Sequence, residues 1–250
     1  MTAPRGMTVE ARRAELAASL AEVEDRIARA CAAAGRARDE VRLLAVTKTF
    51  PALDAALLTD LGVVDLAENR DQEAAEKAVE VASLRPAASP RWHMVGRLQR
   101  NKARSVARWA REIQSVDSER LAGALDKAVR AARDAGERQD GLDVLIQVSL
   151  DGDPERGGCP LDELAHLAEC LTRAGDLRLR GLMAVAPLGT DPEKAFERLA
   201  RAGETLREDH PDALELSAGM SGDLEWAIGH GSTCVRVGTA LLGGRGLASP

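Results

Sequence analysis

Lysine is scarce in this chain, so each one can be judged by its surroundings. Only five of the 34 cationic side chains are lysines: Lys48, Lys77, Lys102, Lys127 and Lys194. Four sit in charged helical contexts such as Glu76-Lys77 and Glu193-Lys194, which read as solvated cations. Lys48 instead follows the apolar run Leu43-Leu44-Ala45-Val46, one residue beyond it. Its ammonium is expected to be partly desolvated, and desolvation disfavours the charged form. A lysine so placed becomes a nucleophilic amine suited to a Schiff base. The alternative is a lysine that merely reaches solvent from a strand end.

A second group lies near the C-terminus. Gly219-Met220-Ser221-Gly222 precedes a helical pattern starting near Asp223-Leu224, and Gly238-Thr239 follows the short run Cys234-Val235-Arg236-Val237. Free backbone amides, small hydroxyls and a helix N-terminus together hold a dianion, and Ser221, Gly238 and Thr239 are the right types. For Gly222 and Gly243 a simple tight turn serves equally well. Arg236 is a cation inside an apolar strand, directed either into a site or outward to a helix carboxylate. A reactive amine, a phosphate cup and an arginine match the aldehyde, phosphate and ring nitrogen of pyridoxal 5′-phosphate (PLP).

These residues need a scaffold that brings residue 48 beside residues 221–239. Eight short apolar runs supply one: Val41–Val46, Val63–Ala67, Trp92–Val95, Glu112–Ser115, Asp143–Val148, Leu177–Met183, Ala213–Leu216 and Cys234–Val237. Helical patterns separate them, for example after Asp191-Pro192, where Asp caps and Pro takes the first helical position. The repeat averages about 28 residues, the length of a strand, a helix and a return loop. Eight such units predict a closed (β/α)8 barrel, whose chemistry gathers at the C-terminal ends of its strands. An open doubly wound sheet is the alternative, weakened because no GxGxxG follows the first strand. The strand ends carry Thr47-Lys48-Thr49, Glu68-Asn69, Gly96-Arg97 after His93, Ser115 with Asp117, Gln147 and Met183, and these groups are expected to converge on one rim. Before the barrel, Val9, Leu16, Leu20, Val23 and Ile27 form one stripe of an amphipathic helix over residues 9–35, expected to pack on the barrel exterior. Residues 1–8 are expected to be flexible and the 250 residues to form one domain.

Composition removes several classes. Net charge is −6 and the basic residues are scattered, which argues against nucleic acid. Cys31, Cys159, Cys170 and Cys234 form no CxxC pair, and His93, His166, His210 and His230 show no metal spacing. Reduced, mostly buried thiols and no metal are expected. No N-terminal apolar region suggests a signal peptide and no run of 18 apolar residues suggests a membrane span, so a cytoplasmic protein is expected. There is no tyrosine.

At this point the sequence resembles the pyridoxal phosphate homeostasis protein family, itself similar to the N-terminal barrel of alanine racemase. The match is carried by Ala45-Val46-Thr47-Lys48-Thr49, Glu68-Asn69, Trp92-His93-Met94-Val95-Gly96, Leu98-Gln99-Arg100-Asn101-Lys102, Gly181-Leu182-Met183-Ala184, Gly219-Met220-Ser221-Gly222-Asp223 and residues Gly231 to Ala240. The resemblance implies that Lys48 forms the Schiff base and that Ser221, Gly238 and Thr239 bind the phosphate. It also implies that Arg236 faces the pyridine nitrogen and Asn69 lies beside the cofactor. An arginine there does not protonate the ring, which leaves a poor electron sink. The chain departs from the family at Arg70, where an aromatic is usual, and at Arg97, where histidine is usual.

Three functions follow from this reading. The first is a PLP-binding protein of intracellular PLP homeostasis, which buffers the cofactor or delivers it to PLP-dependent apo-enzymes without robust catalysis. Such a protein is expected to act as a monomer. The second is an amino-acid racemase, which needs a base on each face of the α-carbon. The similar enzymes take the second base from a tyrosine on a C-terminal domain, and this chain has no tyrosine and is read as ending soon after its last strand. His93 is a conceivable substitute, although a packed, hydrogen-bonded histidine is the preferred reading. The third is a Schiff-base aldolase, which leaves Arg236 without a role.

Overall fold

The computed structural model describes residues 7–153, 157–187 and 189–244. Residues 1–6 of the segment expected to be flexible, and 154–156 of the long loop after β5, lie outside these. Eight parallel strands alternate with helices. They are β1 (Arg42–Val46), β2 (Asp65–Glu68), β3 (Arg91–Met94), β4 (Glu112–Val116), β5 (Leu142–Gln147), β6 (Leu177–Met183), β7 (Glu215–Ser217) and β8 (Cys234–Val237). Helix α1 (Val9–Ala33) precedes β1. The connecting helices are α2 (Ala52–Asp60), α3 (Asp71–Leu84), α4 (Ala103–Trp109), α5 (Glu119–Asp134), α6 (Leu164–Arg173), α7 (Pro192–Asp209) and α8 (Leu224–Gly229), with α9 (Thr239–Leu242) after β8. The strands run in sequence order around a closed barrel, β1 pairing with β8 through Arg42–Cys234, Leu43–Val235, Leu44–Arg236 and Ala45–Val237. This closure excludes the open sheet.

Three strands start later than their apolar runs suggest, β1 by one residue and β2 and β7 by two. Val63 follows the turn at Gly62, and Val64 remains half exposed, so β2 begins at Asp65. Ala213 is held in a turn by its amide's bond to the His210 carbonyl, and β7 begins at Glu215. Asp191 caps α7 as the sequence predicts, its side chain accepting from the Glu193 amide.

The alternation of the strands sorts their side chains. Leu43, Ala45, Leu66 and Val235 pack outward beneath the helices, whereas Leu44, Ala67 and Cys234 form a small apolar layer inside. Below that layer the barrel is ionic rather than filled with the branched aliphatics common in this architecture. His93 is fully buried, with Nδ1 3.0 Å from Glu112 Oε1 and Nε2 2.8 Å from Asp65 Oδ1. Arg42 pairs with Glu112 and Glu215, and Arg91 with Asp65. Both partners of His93 are acceptors, so both of its nitrogens donate and the ring is an imidazolium. Burial pushes His93 down, but the bonds to Asp65 and Glu112 outweigh it and the net shift is upward. Burial likewise raises Asp65 and Glu112, and their bonds to His93 and neighbouring cations reverse this, holding each at about 2.

The raised histidine stabilises the fold below its ordinary pKa of ~6.5, and that contribution is lost as pH rises through its folded value. The depressed carboxylates stabilise it above their ordinary range and lose that contribution as pH falls toward about 2. The cluster is therefore expected to contribute most between pH ~4.5 and ~6.5. Urea midpoints measured across pH should fall on both sides of this window, and His93→Gln should remove the alkaline limb.

Helix α1 lies on the barrel exterior, as its stripe predicts, with Leu16, Val23 and Ile27 buried. Arg12 is not on its solvent face. It is 4% exposed and bonds to both Asp54 oxygens, at 3.2 and 2.8 Å, and to the Leu242 carbonyl, tying α1 to α2 and α9.

Candidate functional site

A cavity of about 400 Å³ opens at the C-terminal ends of β6, β7, β8, β1, β2 and β3. Lys48, Asn69, Ser221, Arg236, Gly238 and Thr239 all line it. Apolar walls come from Val46, Val95, Met183, Val185 and Met220. Of these, Val46, Val95, Met183 and Met220 entered the sequence reading only as parts of runs and motifs, while Val185 carried no signal separating it from core.

Lys48 corrects one expectation. Its side chain is exposed rather than desolvated, because β1 ends at Val46 and the chain turns over the rim at Thr47–Thr49. What distinguishes it is the turn itself. Thr49 has φ of +69°, a left-handed conformation that is rare for a β-branched residue, and strain of this kind is held only by surrounding structure. The holding groups lie directly beneath. Thr47 is fully buried, and its hydroxyl donates to Glu68 Oε1 at 2.6 Å. Lys77 Nζ donates to the Thr47 carbonyl at 2.8 Å and to the same Glu68 carboxylate. Lys77 is thus buried, not the solvated cation its Glu76 neighbour suggests, because α3 turns Ala74, Lys77 and Val81 toward the barrel.

Beside Lys48, Asn69 Oδ1 is buried without a hydrogen-bond partner among the described residues. Its backbone passes so close to β3's end that only glycine fits at position 96: an added Cβ would lie 2.2 Å from the Asn69 carbonyl oxygen. Gly96→Ala is therefore expected to displace Asn69 and to destabilise the fold by at least about 1–3 kcal/mol, checked by thermal melting.

The β7–α8 loop forms the opposite wall. Gly219, at φ +91°, leaves no room for a Cβ, which would lie 2.7 Å from Ala227 Cβ. Asp223 Oδ1 accepts from the Met220 amide at 2.6 Å, and Ser221 Oγ accepts from the Ala240 amide at 3.3 Å. Ser221 therefore stands over the first turn of α9, where Gly238 and Thr239 present amides without intrahelical partners. From outside, Arg26 of α1 pairs with Glu225 and donates to the Ser221 carbonyl at 3.1 Å, bracing the loop in a way the sequence did not suggest.

Arg236 points inward, not to a helix carboxylate. It is 5% exposed and donates through Nη1 to the Ser217 carbonyl and hydroxyl, at 2.7 and 2.9 Å, and through Nη2 to the Ala184 carbonyl at 2.8 Å. Burial lowers its pKa, and two of its five N–H donors have no partner among the described residues.

Other strand-end groups do not join the cavity. Glu68 is buried behind it, and Ser115 is occupied by the Gly96 carbonyl. Asp117 and Gln147 do not line it, and His93 is enclosed in the ionic layer below. Arg70 and Arg97 are exposed and line no part of it, Arg70 pairing with Glu73. Among the described residues the cysteines are free thiols. Cys31, Cys159 and Cys234 are buried, and burial first, then nearby carboxylates, pushes Cys159 up to about 12. His166 and Cys170 lie one turn apart on α6 and meet exposed Glu119 of α5, their ligand atoms within 4.8 Å of one another, a proximity between elements that spacing in the sequence does not show.

Comparison with known proteins gives the following. Residues 19–246 match the alanine racemase N-terminal domain family. A pyridoxal phosphate homeostasis protein of Mycobacterium leprae is 47% identical over 247 residues, 96% of each chain. One from Mycobacterium tuberculosis is 49% identical, again over 96% of each. Among solved structures, PipY of Synechococcus elongatus with PLP bound superposes with a TM-score of 0.76 at 33% identity, covering 91% of this chain and all of that one.

Proposed function

This chain belongs to the family of pyridoxal phosphate homeostasis proteins, and from that premise we propose that it binds PLP in the cavity around Lys48 and serves to hold and hand on the cofactor. The observation that carries this reading is one cavity lined by a primary amine, a buried donor-only cation and a small-residue cup. When bound, PLP supplies an aldehyde that condenses with a primary amine, with loss of water.

The residues divide the work. Lys48 Nζ is the condensing amine. Ser221, Gly238 and Thr239 bind the phosphate with hydroxyls and backbone amides at the α9 terminus. Arg236 offers its free N–H donors to the ring nitrogen and, keeping its own proton, gives none to the ring. Asn69 supplies a partnerless carbonyl oxygen, and the valines and methionines keep water from the ring faces.

Among the described residues lining the cavity, Lys48 is the one side chain of a type that serves as an acid–base group. Racemisation needs two such groups, so holding and delivery is favoured over turnover. In this reading the protein is a cytoplasmic monomer whose partners are apo-enzymes that require PLP. Among the described residues no helix is long and apolar enough to cross a membrane.

Purified protein titrated with PLP should develop a visible absorption band and pass the cofactor to an apo-enzyme, restoring that enzyme's activity. Incorporation of solvent deuterium at the α-carbon of an amino acid at enzymatic rates would replace delivery with racemisation.

A further inference from the structure

Arg236 is a buried cation without a carboxylate partner among the described residues, and the structure shows where its compensation lies. Ser217 Oγ accepts from Arg236 Nη1 at 2.9 Å and donates to Gln114 Oε1 at 2.7 Å. Gln114 Nε2 in turn donates to Glu112 Oε1 at 2.7 Å, and Glu112 is the carboxylate that holds His93. All these side chains are at most 5% exposed. Every donor in the chain points away from Arg236 and toward Glu112. Two neutral dipoles, aligned head to tail, therefore carry the field of a buried anion to a buried guanidinium that no anion touches.

We propose that Ser217 and Gln114 are positioning residues for the cofactor site, fixing the Arg236 guanidinium and its orientation toward the ring nitrogen through a one-way hydrogen-bond chain anchored on Glu112. This rests on the PLP reading and deepens it. A carboxylate placed directly on Arg236 would occupy the donors the ring needs. Distant compensation leaves them free while still opposing the cost of burying the charge. The direction of the links is set from the anionic end: the Glu112 carboxylate only accepts, so the Gln114 amide nitrogen faces it and the Gln114 carbonyl is left to accept from Ser217, whose oxygen accepts in turn from a guanidinium that only donates.

The test compares PLP affinity and the visible band of wild type, Ser217→Ala, Gln114→Leu and the double variant. Asp176→Asn serves as a control, since it disrupts a buried carboxylate's pairs with Arg130 and Arg133 of α5 just before β6, at the opposite end of the barrel from the cavity. Each single variant is expected to lose about tenfold in PLP affinity, the worth of one buried hydrogen bond to a charged group, and to shift the band. The double variant should lose no more than the worse single, because both break one chain. Asp176→Asn should lower the melting temperature without changing affinity or band.

Wild-type affinity and an unchanged band in both single variants would overturn the proposal. So would fully additive losses in the double variant, or an equal loss of affinity in Asp176→Asn. A wild-type protein that binds no PLP would instead refute the cofactor reading itself, a result distinguishable from all of these.

Discussion

Lys48→Ala protein mixed with PLP is expected to show no visible band and no adduct that survives borohydride reduction, while melting close to wild type. Both halves follow from the position of the side chain. Lys48 is exposed at the rim and packs in no core, so its truncation leaves no cavity behind. No other lysine lines the cavity among the described residues: Lys77 is buried beneath it, and Lys127 and Lys194 are on outer helices. Weak reversible binding should persist through Ser221, Thr239 and Arg236. Lys48→Arg separates charge from chemistry, since it keeps the cation but offers no condensing amine. Spectral titration of the three proteins measures the effect, which is all or none for the band.

Lys77→Ala is expected to cost the most stability of any single change near the site, about 3–5 kcal/mol. Glu68 is fully buried, one of its oxygens already lacks a partner, and Lys77 is its cationic partner among the described residues. Removing the lysine leaves an uncompensated buried carboxylate. It also releases the Thr47 carbonyl, one residue from Lys48 and two from the strained Thr49. The turn should then relax toward ordinary backbone angles. Pairing Lys77→Met with Glu68→Gln removes both charges together, and should recover much of the stability but not the turn. Urea unfolding of the three proteins checks the first part, and their affinity for PLP checks the second.

These two lysines show what sequence reasoning reaches here. The barrel was legible because eight apolar runs alternate with helical patterns at a mean spacing of about 28 residues, and closure follows from their number. The residues around the cavity were legible because they sit directly after those runs, where a barrel must place them. Lys77 was not, because charged neighbours in sequence say little about which face of a helix turns inward. Its spacing did hold the information: Ala74, Lys77 and Val81 form the buried stripe of α3, and Arg12 sits on the stripe of α1 with Leu16 in the same way. The ionic layer was hidden for another reason. Asp65, Glu112 and Glu215 lie within the runs read as strands, but a lone polar residue in a short run does not show whether it faces the interior or solvent. Only ring closure shows that they face His93 and Arg42 across the interior. The exposure of Lys48 was misjudged because the expectation took the strand to shelter it, whereas the turn lifts it over the rim.

The claim on which the rest depends is that Lys48 holds the cofactor. Incubating the protein with PLP, reducing with borohydride, digesting and locating the modified peptide by mass spectrometry tests it directly. The account predicts one modified peptide, containing Lys48. Modification chiefly at Lys77, Lys102, Lys127 or Lys194, or no modification despite a saturable visible band, would contradict it.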